Sequence, residues 1–141
     1  MLRNVLIVDD SATIRQMVKK TMIMAELDVG EVYEAGNGIE ALAQLADHEV
    51  AVVVVDINMP TMNGIQLLKR MKENERLRHI PIVIASTEGS RKRIEQMVEY
   101  GAVAYVRKPF QPEQLRKALM PLLGVKTHAA IETGDTGDDF L

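Results

Sequence analysis

AVVVVD, residues 51–56, decides the fold. Its four consecutive valines do not alternate with polar residues, so the strand they form must be buried on both faces. That pattern belongs to a parallel sheet covered by helices on each side. Four more short, largely β-branched runs surround it, at residues 4–9, 29–35, 80–86 and 103–107. Between them, residues recur at helical spacing: Ile14, Met17, Val18, Thr21 and Met22; Leu42 and Leu45; Leu67, Leu68 and Met71; Ile94, Met97 and Val98. After the last run Leu115, Ala118, Leu119 and Leu122 repeat the pattern. The order is βαβαβαβαβα, a doubly wound α/β domain with a five-stranded parallel sheet and five helices.

Local punctuation agrees. Gly101 suits the left-handed position just past the fourth helix, and Pro112 suits the first turn of the fifth. Pro121 lies ten residues into that helix and removes a backbone hydrogen bond, so a kink or a loosened last turn is expected there. From Gly124 onward both periodicities vanish and Gly, Thr and Asp dominate, which suggests a flexible tail over residues 124–141, too short for an output domain.

The 141 residues and 47% hydrophobic composition suffice for one core. The absence of Cys excludes a disulfide framework and a thiolate metal site. The first apolar run, ending in Asp9 and Asp10, is too short for a signal peptide or a membrane span, so a soluble, cytoplasmic protein is expected. Net charge is −3. All of that excess sits in residues 124–141, where Lys126 faces Glu132, Asp135, Asp138 and Asp139. A neutral body gives no general reason to expect nucleic-acid binding, although Arg91, Lys92 and Arg93 form a local basic cluster.

In an open parallel sheet, ligands collect beyond the carboxyl ends of the strands. The first strand ends in Asp9 and Asp10, the third in Asp56, the fourth in Ser86 and Thr87, and the fifth is followed by Lys108 and Pro109. If those strands are neighbours, three carboxylates, a hydroxyl and an ammonium converge on one rim. Packed carboxylates repel, so such a site raises a pKa or holds a cation, and oxygen-only ligands favour Mg²⁺. A divalent ion beside a carboxylate, with a lysine opposite, also suits phosphoryl transfer, in which a carboxylate nucleophile forms an acyl phosphate.

The blocks VLIVDDS (5–11), VVVVDINMPTMNG (52–64), IVIAST (82–87) and YVRKPF (105–110) resemble the signature blocks of response-regulator receivers, the stand-alone CheY-like chemotaxis type above all. The resemblance covers residues 1 to about 123 as a receiver domain and leaves the tail outside it. It implies a flavodoxin-like sheet of order 2-1-3-4-5, an order that periodicity does not supply. It further implies that Asp56 is the phosphoacceptor, that Asp10 and Asp56 with the Asn58 carbonyl hold Mg²⁺, and that Asp9 does so through water. Ser86 and Lys108 would bind phosphoryl oxygens. Tyr105 matches the family's switch aromatic, which turns inward when the hydroxyl at position 86 moves toward the phosphate. The Lys108–Pro109 bond is expected to be cis. Implied partners are a histidine kinase as donor, a protein target on the face formed by the fourth helix, fifth strand and fifth helix, and a phosphatase. That output face would include Arg91, Lys92, Tyr105 and residues near Gln114. Polar Asn58 and Glu88 at the rim resemble those of fast-cycling chemotaxis regulators. Thr87 departs from the family's usual Ala or Gly and adds bulk at the pocket mouth.

The resulting expectation is a signalling switch, not an enzyme in its own right, that assists its own phosphorylation and dephosphorylation. A phosphorelay carrier or phosphate sink without its own output is the alternative. A haloacid-dehalogenase-like phosphatase places its nucleophile after the first strand, not the third. A flavin-binding flavodoxin-like protein needs amide donors and hydroxyls where DDSAT is acidic. Simpler roles coexist for single residues: Asp10 or Ser11 as a cap of the first helix, Tyr105 as a half-buried strand aromatic, the methionines as core filling. His48, His79 and His128 show no ligand spacing and read as surface residues.

Overall fold

The computed structural model describes residues 3–87 and 89–125. Five strands, β1 (Val5–Val8), β2 (Val32–Ala35), β3 (Val52–Val55), β4 (Ile82–Ser86) and β5 (Ala102–Arg107), form one parallel sheet in the order β2-β1-β3-β4-β5. Five helices alternate with them: α1 (Ala12–Met24), α2 (Gly38–Asp47), α3 (Gly64–Lys72), α4 (Arg91–Glu99) and α5 (Pro112–Leu123). Fold class and strand order are those expected. Four strands are shorter than expected, most of all β2, which starts at Val32 instead of residue 29, while β5 begins one residue earlier, at Ala102.

The valine run behaves as its pattern requires. Val53 and Val55 enter one hydrophobic cluster with residues of α2, α3 and α4, while Val52 and Val54 enter a second with residues of α1 and α5. Each fully buried valine contributes about 1.5–3 kcal/mol relative to exposure, and β1, β3 and β4 are buried along their whole lengths. Met22, Met59, Met62, Met71 and Met97 belong to these cores, whereas Met17 and Met24 face solvent.

Capping explains the helix starts. Ser11, Asn37, Asn63 and Ser90 accept the N3 backbone amides of α1, α2, α3 and α4, and Asn63 adds a capping box with Gln66. It is Ser11, not Asp10, that caps α1, so Asp10 is free of that role. Gly101 has φ +104° just past α4, and Pro112 opens α5, both as expected. Pro121 lies within α5, and the last turn, expected to be kinked or loosened there, is closed by a hydrogen bond. The helix runs to Leu123, and the Gly124 amide closes its last turn on the Met120 carbonyl at 2.8 Å. Beyond it Val125 pairs antiparallel with Leu27, and the Asp28 amide donates to the Gly124 carbonyl. The expectation of a flexible tail otherwise falls on residues 126–141, outside the described residues. His48 is half-buried with its ring stacked on Tyr33 at 3.9 Å, so it is not the surface residue its isolation suggested. His79 is exposed, and His128 lies outside the described residues.

Candidate functional site

Strand register builds the site. Val8 pairs with Val55, so β1 and β3 end flush and Asp9 and Asp56 follow side by side, tied by the Asp56 amide to the Val8 carbonyl at 2.9 Å. On the other flank Ser86 pairs with Arg107, and the Lys108 amide donates to the Ser86 carbonyl at 2.9 Å. A bulge in the β4–β5 pairing between Ile82 and Val83 sets this alignment, because Val103 is skipped. Without it Ser86 would face Val106. The Lys108–Pro109 bond is cis, as expected.

Carboxylate oxygens of Asp9, Asp10 and Asp56 lie within 4.8 Å of one another. Asp9 and Asp56 are buried and Asp10 is exposed at the rim. The Lys108 ammonium lies 2.5 Å from Asp9 Oδ2 and 3.5 Å from Asp56 Oδ2. The second oxygen of Asp9 accepts the Ser11 amide at 2.9 Å. Asp56 accepts the Ser86 hydroxyl and, at 3.4 Å, the Asn58 amide. Burial nonetheless holds the Asp56 carboxyl above its ordinary pKa; Lys108 pulls it back, the Asp9 charge pushes it up again, and the two hydrogen bonds lower it. One ammonium among three carboxylates leaves the cluster negative. Oxygen-only donors with excess negative charge fit a hard divalent cation.

The structure thus gathers Asp9, Asp10, Asp56, Ser86 and Lys108 on one rim. Asn58 and Thr87 are exposed beside it, and Glu88 lies outside the described residues. Tyr105 pairs with Ile84 on the α4 side of the sheet, is half-buried, and donates its hydroxyl to the Ser86 carbonyl at 3.4 Å. A chain of contacts therefore runs from Asp56 through Ser86 to Tyr105.

Two supports escaped sequence reasoning. Arg15 donates to the Asp9 carbonyl at 2.6 Å and pairs with Glu34 at 2.8 Å, fixing the backbone that carries Asp9 to the neighbouring strand. A signal existed: an arginine between the apolar positions Ile14 and Val18. Gly64 is the second. A Cβ there would stand 2.5 Å from the Asp56 carbonyl oxygen and 2.8 Å from Ile57 Cα, so α3 starts in direct contact with the loop that presents Asp56.

The fold and the acidic rim define a receiver. The family model described as response regulator receiver domain matches residues 5–120, and the chain belongs to that family. Chemotaxis protein CheY1 of Helicobacter pylori is 38% identical over 120 residues, covering 84% of this chain and 95% of that protein. Among solved structures, CheY4 of Vibrio cholerae has a TM-score of 0.78 at 36% identity, over 87% of this chain and all of that one. The Borrelia burgdorferi complex of CheX, CheY, BeF₃ and Mg²⁺ has a TM-score of 0.77 at 25% identity, over 84% and 87% of the two chains. Among the described residues no helix is long and apolar enough to cross a membrane.

Proposed function

We propose that this chain is a single-domain, phosphorylation-controlled switch of the chemotaxis type, with residues 1–123 as receiver and 124–141 as an acidic tail, working in the cytoplasm. One observation carries the proposal: the Asp56 carboxylate sits at the end of β3 with the Ser86 hydroxyl, the Lys108 ammonium and two further carboxylates around it. An Asp56 oxygen attacks the phosphorus of a kinase phosphohistidine, the P–N bond breaks, and its electron pair leaves on the imidazole. Lys108 and Ser86 bind the transferred oxygens, and water attack on the acyl phosphate returns the carboxylate and inorganic phosphate. Asp10, Asp56 and the Asn58 carbonyl, with Asp9 through water, are assigned to Mg²⁺, which when bound neutralises charge on the phosphoryl oxygens. The BeF₃ and Mg²⁺ held by the Borrelia relative support this assignment. Intact mass after treatment with a small-molecule phosphodonor tests it: Mg²⁺-dependent gain of one phosphoryl group is expected, and an unlabelled chain overturns the proposal.

Asp9 and Asp10 should differ. Both Asp9 oxygens already have donors, Lys108 and the Ser11 amide, while exposed Asp10 is available to a cation. Asp10→Ala is therefore expected to weaken Mg²⁺ binding much more than Asp9→Asn, because the first removes a direct ligand and the second a residue that acts through water. Titration calorimetry giving equal affinities contradicts the ligand assignment.

Output is proposed for the α4-β5-α5 face. Val98 and Val103 are 61% and 57% exposed there, Tyr105 lines a groove with Ile94 and Met97, and Arg91 and Lys92 open α4. A phosphate shifts this face only by contacting its two states differently, and the Ser86–Tyr105 contact offers a short route. Tyr105→Ala should leave phosphorylation largely intact but remove most of the phosphorylation-dependent gain in target affinity, typically about 5- to 150-fold for such couplings. Full retention of that gain would make Tyr105 a structural aromatic.

A further inference from the structure

Helix α1 carries an apolar stripe on its solvent side that the proposed switch does not use. Met17, Ile23 and Met24 are 40%, 64% and 76% exposed; Met17 and Ile23 line a shallow groove with Gln16, Lys19 and Lys20, and Met24 follows at the C-terminal end of the helix. Lys20 lies three residues from both Met17 and Ile23, on the same face of the helix. Neither lysine has an ion pair among the described residues.

The chain's own continuation starts beside this stripe. Val125 pairs antiparallel with Leu27, and Gly124 with Asp28, so the backbone leaving Val125 heads toward Glu26 and the C-terminal end of α1. Residues 126–141 have a composition that complements the stripe: Glu132, Asp135, Asp138 and Asp139 for the lysines, Ile131, Phe140 and Leu141 for the methionines and isoleucine. Sixteen residues reach at most roughly 55 Å, while the thirteen residues of α1 span about 20 Å. Tethering over such a length gives an effective concentration in the millimolar range, so even a weak contact is populated. The opposite face, with α4, is reached only around the sheet.

We propose that residues 126–141 dock on the solvent face of α1, acids against Lys19 and Lys20 and apolar residues against Met17, Ile23 and Met24, as an intramolecular cover for that helix. The absence of cysteine makes the test direct: Thr136→Cys in the full chain accepts a single nitroxide. Paramagnetic broadening of amide signals is then compared between this protein and the same protein carrying Lys20→Glu and Ile23→Ser, both at exposed positions that leave the core intact. A merely tethered tail broadens the amides around Leu27 equally in both. Docking adds strong broadening toward Met17 that the variant loses and that falls by roughly half in about 1 M salt, where the Debye length is only about 3 Å. Broadening near Met17 that survives the double substitution, or strongest broadening on α4, overturns the proposal. So does broadening of α1 in an isotope-labelled, nitroxide-free chain mixed with a nitroxide-bearing one, because the occupant is then a second copy.

Discussion

Asp56→Asn is expected to abolish the Mg²⁺-dependent gain of a phosphoryl group and, in metal-free protein, to raise thermal stability. The first effect follows from removing the nucleophile; residual labelling at full stoichiometry takes Asp56 out of the mechanism. The second follows from electrostatics. Buried Asp56 has its pKa raised above the ordinary 3.8 by desolvation, so between 3.8 and that raised value the folded protein holds a proton that the unfolded chain has already lost. Ionisation therefore costs the folded state, and the stability present at low pH is lost as pH rises from 3.8 through the raised value. At neutral pH the wild type carries this cost and Asp56→Asn does not, while Lys108 keeps Asp9 as its partner. A gain on the order of 1 kcal/mol corresponds to a midpoint roughly 3–5 °C higher. The advantage should shrink as pH falls toward 3.8. Midpoints equal at pH 7 and diverging only in acid would reverse the sign and refute the electrostatic account.

Gly64→Ala should be among the most destabilising substitutions in the protein, although it adds a single methyl group. The new Cβ would meet the Asp56 carbonyl oxygen at 2.5 Å and Ile57 Cα at 2.8 Å, and backbone atoms cannot swing aside as a flexible side chain does. Overpacking ordinarily costs about 1–3 kcal/mol, and a clash with main chain belongs at or above the upper end. The expected loss of about 3 kcal/mol is a midpoint roughly 10 °C lower for a domain of this size. Because α3 must retreat from the loop carrying Asp56, Mg²⁺ affinity should fall as well. Gly38→Ala provides the control. Its three nearest neighbours would be side-chain atoms of Met62 at 2.5–2.8 Å, of which Cγ and Sδ belong to a flexible side chain and not to main chain, so it should cost less. Equal losses at both positions would show that the Asp56 loop yields to α3.

Sequence reading located the elements well because their signals are local. A run such as Val52–Val55 cannot lie on a solvent-facing strand, and Gly101 just past α4 and Pro112 at the start of α5 mark helix ends by their own backbone preferences. The rim residues were legible because each stands at a strand's carboxyl end. His48 was misread because the stacking ring, Tyr33, is distant in sequence and adjacent only through the packing of α2 on β2. Arg15 was passed over for a similar reason, since its partners Asp9 and Glu34 belong to two different strands.

The sequence by itself determined the alternation of strands and helices, the burial of the sheet on both faces, and which chemical groups stand at the strand ends, since all three depend on residue type and short-range spacing. Strand order was beyond its periodicity, for the hydrophobic pattern of a strand is the same whichever neighbour it takes. Tertiary structure alone decided how the groups meet. The flush register of β1 and β3 puts Asp9 beside Asp56, and Lys108 binds across to both. The bulge that skips Val103 is decisive for the rest, because side chains alternate across a strand and a one-residue shift exchanges its faces. Through it Tyr105 falls on the α4 side, opposite Ile84 and within reach of Ser86, and not on the side of α1 and α5.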